Sequence, residues 1–78
     1  MERASNIGIR QLRYFVAVVR HGSFRAAAQA VHISQPPLTR QIQQLEESLG
    51  TDLLVRRSRG VEPTPAGTVF YEDAAHIL

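Results

Sequence analysis

SQPPLTRQIQQLEESLG, residues 34–50, is the stretch whose reading decides the fold. From Leu38 onward, Leu38, Ile42, Leu45 and Leu49 fall at i, i+4, i+7 and i+11, the apolar face of a helix. The opposite face carries Thr39, Arg40, Gln43 and Glu47, and its N-terminal half is free of acids. Gly50 is a natural C-terminal stop. Yet the helix opens on two adjacent prolines. With Ser34 read as the cap, Gln35 is the first helical residue and Pro36 and Pro37 follow it. The first N–H groups of a helix have no partner inside it, so proline gives up little there. Each proline also holds the residue before it away from the helical region, which here affects Gln35 and Pro36. Selection for helix stability alone does not lead to such an opening. It suits a helix end that presents a rigid, blunt surface to a partner.

Outward from this segment the periodicity predicts two preceding helices. Leu12, Phe15, Val16 and Val19 form a stripe over about Ile9 to Arg20, ended by His21-Gly22. Ser23 is placed to cap a short, alanine-rich helix whose stripe is Phe24, Ala27, Ala28 and Val31. His32-Ile33 breaks it without a glycine. Downstream, Leu53 to Arg56 reads as a strand and Val61-Glu62 as its return, around Ser58-Arg59-Gly60. Thr64-Pro65 is a cap followed by a first-turn proline, opening a fourth helix with Phe70, Ala74 and Ile77 on one face. The expected fold class is mainly α, a winged helix-turn-helix: a three-helix core, a short β-hairpin wing over 54–62 and the start of a fourth helix. Residues 1–8 read as a flexible N-terminus, 9–64 as the domain, about 24–43 as the helix-turn-helix and 65–78 as the start of the fourth helix.

Composition narrows the function. The chain has 78 residues and no cysteine, which removes disulfides and cysteine metal sites. His21, His32 and His76 lack metal-ligand spacing, and no cofactor is expected. No apolar run approaches the roughly 20 residues of a membrane span, and no secretory signal opens the chain, so the reading is soluble and cytoplasmic, with no membrane partner. All nine basic residues are arginines. Six of them lie before Leu45 against a single acid, Glu2, and the other three form the RRSR cluster at Arg56, Arg57 and Arg59. Arginine forks suit phosphates and guanine edges.

Ser34, Gln35, Thr39 and Arg40 therefore crowd one helix end with donors suited to phosphates or base edges, and the proline rings add apolar contact. Two helices joined by a tight break, the second presenting its N-terminal residues outward, form the helix-turn-helix arrangement. Blander readings stand beside each residue. Arg40 pairs with Glu46 or Glu47, Gln35 bonds its own backbone, and Pro36 and Pro37 serve the helix start alone. Among whole functions, an enzyme is set aside because no histidine, serine and acid converge by any visible logic. A winged helix that binds only protein is the principal alternative, and nonspecific DNA coating is a further one. A protein-binding version predicts exposed apolar residues or acids on the outer face of the third helix, where Thr39, Arg40 and Gln43 stand.

The chain resembles the N-terminal DNA-binding domain of LysR-type transcriptional regulators, over nearly everything from Ile9 to Leu78. The resemblance rests on GSF at 22–24, Ala27-Ala28, SQP at 34–36, Leu45-Glu46, Leu49-Gly50 and T-x-A-G at 64–67. The QPPLTRQI variant is most similar to regulators of aromatic-compound breakdown in bacteria. The resemblance implies binding to double-stranded DNA at an interrupted palindrome, on the bacterial nucleoid, as a dimer or tetramer. It places Gln35, Pro36, Pro37, Thr39 and Arg40 near base edges in the major groove, with the third helix (36–49) in that groove. It places Ser23, Phe24 and Ser34 near the backbone or groove floor, and Arg56 and Arg59 of the wing near phosphates or the minor groove. The last helix corresponds to the linker through which family members form homodimers. Family members also carry a C-terminal effector domain, the expected seat of any small-molecule inducer, and these 78 residues do not include it.

Overall fold

Helix α1 spans Ile9–His21, α2 Phe24–Val31 and α3 Gln35–Leu49. Strands β1 (Leu54–Arg57) and β2 (Gly60–Pro63) then form a hairpin, and α4 (Pro65–Ile77) closes the order. The computed structural model describes residues 7–78, so the expectation of a flexible N-terminus falls almost wholly outside the described residues.

The helix ends follow local chemistry. Gly22 ends α1 in the left-handed region, at φ 70°, and donates its N–H to the Val18 carbonyl at 2.8 Å. The Ser23 hydroxyl then accepts the Ala26 N–H at 2.9 Å and starts α2. Between α2 and α3 the chain turns on His32, which adopts the left-handed region at φ 63°. Its N–H and that of Ile33 satisfy the Gln29 and Ala28 carbonyls, at 3.3 and 3.1 Å. The turn thus closes without glycine because the freed carbonyls at the end of α2 are bonded.

Ser34 departs from expectation. It stands at the N-cap of α3 in extended conformation, but its side chain makes no capping bond. The reason is the proline pair. A cap oxygen accepts from the second or third helical N–H, and those positions are Pro36 and Pro37, which have none.

Nine buried residues form the main core: Phe15 and Val18 of α1, Phe24, Ala27 and Ala28 of α2, Leu38, Ile42 and Leu45 of α3, and Leu53. A second cluster joins Leu12 and Val16 to Ala74 of α4. Helix α1 is therefore clasped on two sides, and its buried stripe is wider than the sequence predicts. Val18 is fully buried while Val19 is only partly so. Val31 and Leu49 are likewise partly buried, and Leu53 serves the core ahead of β1 rather than the sheet. Phe70 packs edge-on against Phe15, ring centres 5.5 Å apart. Ile77, expected on the packed face of α4, is exposed. Ala27 and Ala28, small and buried, let α2 lie close against its neighbours.

The wing is an antiparallel pair in which Leu54 faces Pro63 and Arg57 faces Gly60, leaving Ser58 and Arg59 as its tip. The Val61 N–H donates to the Gly22 carbonyl at 2.9 Å, which fastens the wing to the α1–α2 turn. The Thr64 hydroxyl caps α4 by accepting the Gly67 N–H at 2.9 Å, and it donates in turn to the Asp52 carbonyl at 2.8 Å.

Candidate nucleic-acid interface

Helix α3 buries Leu38, Ile42 and Leu45, and this fixes which side faces out. Pro36, Thr39, Arg40 and Gln43 recur at i, i+3, i+4 and i+7, one continuous stripe on the other side. With Gln35 they line an open concavity along the first half of the helix. Its wall combines proline carbons with amide, hydroxyl and guanidinium groups, and no carboxylate joins them. Arg40 is exposed, and among the described residues it pairs with no acid. The side chain of Glu46, one candidate partner, is committed elsewhere: its carboxylate accepts the N–H groups of Leu53 and Leu54 at 2.8 and 3.2 Å.

The other expected site residues divide. Gln35 and Pro36 are exposed at the mouth of α3, with Pro37 half-buried behind them. Ser34 is exposed at the same end, and among the described residues its hydroxyl has no hydrogen-bond partner. Ser23 is half-buried and spends its oxygen on the α2 cap. Phe24 lies in the core at 6% exposure, so little of its ring reaches the surface.

The wing arginines separate by strand alternation. Leu54 and Arg56 share one face of the hairpin, and Val55 and Arg57 the other. Arg56 turns inward, its guanidinium carbon 4.4 Å from the centre of the Phe24 ring. Arg57 turns away and meets Glu62 at 3.5 Å, an exposed pair of little energetic weight. Arg59 is exposed at the tip. Arg56, Phe24, Thr39 and Gln43 line one small crevice of about 90 Å³ between wing and α3. The described face thus brings together Gln35, Pro36, Thr39, Arg40 and Arg56, and it sets Arg59 apart at the wing tip.

Two residues carry more than the sequence reading assigns to them. Gln43 completes the outward stripe, and its spacing of seven from Pro36 was the available signal. Glu46 ties α3 to the chain entering β1, by bonds seven and eight residues ahead that no helical or strand period announces. Among the described residues no three His, Cys, Asp or Glu side chains are placed to share a metal ion, and no helix is long and apolar enough to cross a membrane.

Comparison with known proteins gives a consistent picture. The family described as "Bacterial regulatory helix-turn-helix protein, lysR family" matches residues 9–68. The HTH-type transcriptional regulator TfdT of Cupriavidus pinatubonensis (strain JMP 134 / LMG 1197) is 61% identical over 70 residues, which cover 90% of this chain and 31% of that protein. The chain thus spans about a third of the length of that relative. Among solved structures, the complex of the CbnR DNA-binding domain (CbnR_DBD) with DNA superposes with a TM-score of 0.88 at 54% identity, covering 91% of this chain and 82% of that one. The BenM_DBD complex with catB site 1 DNA gives 0.89 at 55% identity, covering 91% and 79%.

Proposed function

The chain belongs to the LysR family of bacterial regulatory helix-turn-helix proteins, and we propose that it is the part of such a regulator that reads double-stranded DNA. Helix α3 enters the major groove, and the β1–β2 wing lies on the neighbouring backbone or minor groove. The observation that carries this reading is the acid-free stripe Pro36, Thr39, Arg40 and Gln43 on the exposed side of α3. The DNA complexes of the CbnR and BenM domains support it.

Each residue has a role in this reading. Arg40 offers a planar fork to a guanine edge or a phosphate, and Gln35 offers both a donor and an acceptor to a base. Thr39 bonds a base or backbone oxygen, and the Pro36 ring makes apolar contact with a thymine methyl or a sugar. Pro37, set back, stiffens the helix start. Ser34 donates its free hydroxyl to a phosphate, whereas Ser23 and Phe24 act from behind the contact surface. Arg56 and Arg59 meet phosphates or the minor groove.

Residues 9–64 form the DNA-binding domain, with the helix-turn-helix over about 24–43. The segment 65–78 begins the linker helix that pairs two copies in the whole regulator, whose site is an interrupted palindrome. Val69 and Ile77, 61% and 67% exposed on α4, suit that pairing. A small-molecule inducer binds outside these residues. The protein works in the bacterial cytoplasm, on the nucleoid, and the chain performs no catalysis.

Fluorescence anisotropy at two salt concentrations tests the reading. The probes are an AT-rich interrupted palindrome and a scrambled duplex of equal composition. Tighter binding to the palindrome, retained at the higher salt, is expected. Equal and equally salt-sensitive binding to both probes would reduce the function to arginine charge.

A further inference from the structure

We propose that Phe24 is a positioning residue for DNA binding, its ring holding the Arg56 guanidinium beside α3 so that a wing arginine grips the phosphate next to the bases that α3 reads. The inference rests on the DNA-binding reading above and deepens it.

Three observations converge on it. The Arg56 guanidinium carbon sits 4.4 Å from the Phe24 ring centre, well within the reach of a cation–π contact. The ring itself cannot drift, because Phe24 is the first residue of α2 and is buried in the main core. The strand carrying Arg56 is fixed at its start, where the Glu46 carboxylate of α3 holds the Leu53 and Leu54 N–H groups. An arginine on a two-stranded hairpin ordinarily sweeps a wide arc through solvent. Here the helix-turn-helix supplies both the floor beneath the guanidinium and the anchor of its strand.

The chemistry of the contact leaves Arg56 competent. Stacking on an aromatic ring uses the face of the guanidinium and leaves its edge N–H donors free. The side chain remains exposed, so those donors are open to an anion. Its polar neighbours in the crevice are Thr39 and Gln43 of the outward stripe and Glu46, whose carboxylate is engaged by the Leu53 and Leu54 N–H groups, which sets the charge against α3 rather than at the wing tip with Arg59. Arg57, on the opposite face and paired with Glu62, has no such floor and is the internal control.

Two measurements test the inference. In the unmodified chain without DNA, NMR should find the Arg56 δ-methylene protons upfield of those of Arg57, because the Phe24 ring current shields them. Identical shifts for the two arginines would overturn the inference whatever the DNA result. In DNA titrations, Phe24→Leu should lower the slope of log affinity against log salt by about one, as removal of one phosphate contact does. Phe24→Tyr should keep the slope, and Phe24→Leu added to Arg56→Ala should change it no further. A folded Phe24→Leu chain with the original slope overturns the inference while leaving the DNA reading intact. Failure of the unmodified chain to bind any duplex overturns both.

Discussion

The Glu46 carboxylate of α3 accepts the backbone N–H of Leu53 at 2.8 Å and, with the same oxygen, that of Leu54 at 3.2 Å. A recognition helix and its wing are thereby joined through one side chain. Leu53 is buried, so its N–H has little access to water and needs this acceptor. Loss of the carboxylate leaves it short of a partner. Glu46→Ala is expected to cost about 1–3 kcal/mol in chemical denaturation. Glu46→Gln, which keeps an acceptor oxygen, should recover most of that. An Ala variant as stable as the original chain would show that the bond is dispensable.

Gly60 meets the α1–α2 turn so closely that a Cβ placed on it would collide with the Gly22 carbonyl oxygen. Its φ of 132° is also a conformation that side chains strongly disfavour. The collision involves backbone on both sides, so no rotamer relieves it. Gly60→Ala is expected to destabilise by about 1–3 kcal/mol. It should also free the Val61 N–H from Gly22, visible as faster amide exchange at Val61. Unchanged protection there would mean that the wing is held by other contacts.

These two anchors mark the limit of what the sequence made legible. The helices were readable because a period of 3.6 and the caps Ser23, Gly22, Gly50 and Thr64 are local signals, spelled within a few residues. The hairpin was readable from its turn and its apolar flanks. Glu46 is visible in the sequence as a possible partner of Arg40 and as part of the Leu45-Glu46 motif, and Gly60 as a turn glycine, but not their bonds, because their partners lie at Leu53, Leu54 and Gly22 and the chain must fold to bring them together. Phe24 showed the same gap. Its place at the start of α2 was plain, but that Arg56 covers it depends on how the wing docks. Ser34 holds the N-cap position that the sequence indicates, but not the capping bond, because the next two prolines have no N–H for its hydroxyl to accept.

Arg40 and Arg56 are both exposed cations, each lining a concavity that Thr39 and Gln43 also line, yet the proposed roles differ and so do the expected phenotypes. Arg40→Ala should lose about 1–3 kcal/mol at one or two base positions of the site and much less on a scrambled duplex. Arg56→Ala should weaken both duplexes alike and reduce the salt slope by about one unit. Parallel titrations of the two variants on both probes separate these patterns. Equal losses for Arg40→Ala on site and scrambled DNA would remove Arg40 from base readout.

Ser23 and Ser34 precede consecutive helices and look alike in sequence, but their oxygens have opposite fates. The Ser23 hydroxyl accepts the Ala26 N–H, and its removal should cost about 1 kcal/mol of folding stability, the usual worth of an N-cap. The Ser34 hydroxyl accepts nothing from its helix, since Pro36 and Pro37 have no N–H to give. Ser34→Ala should therefore leave the thermal transition within a few tenths of a kcal/mol of the original, the range of surface substitutions away from such features. The same variant should weaken DNA binding, because the uncommitted hydroxyl is the group proposed to reach a phosphate. Since a neutral donor releases no counterion, the salt slope should stay unchanged while affinity falls. A destabilised Ser34→Ala chain would contradict the assignment of the prolines as the reason for the missing cap. Unaltered affinity in a stable one would take Ser34 out of the interface.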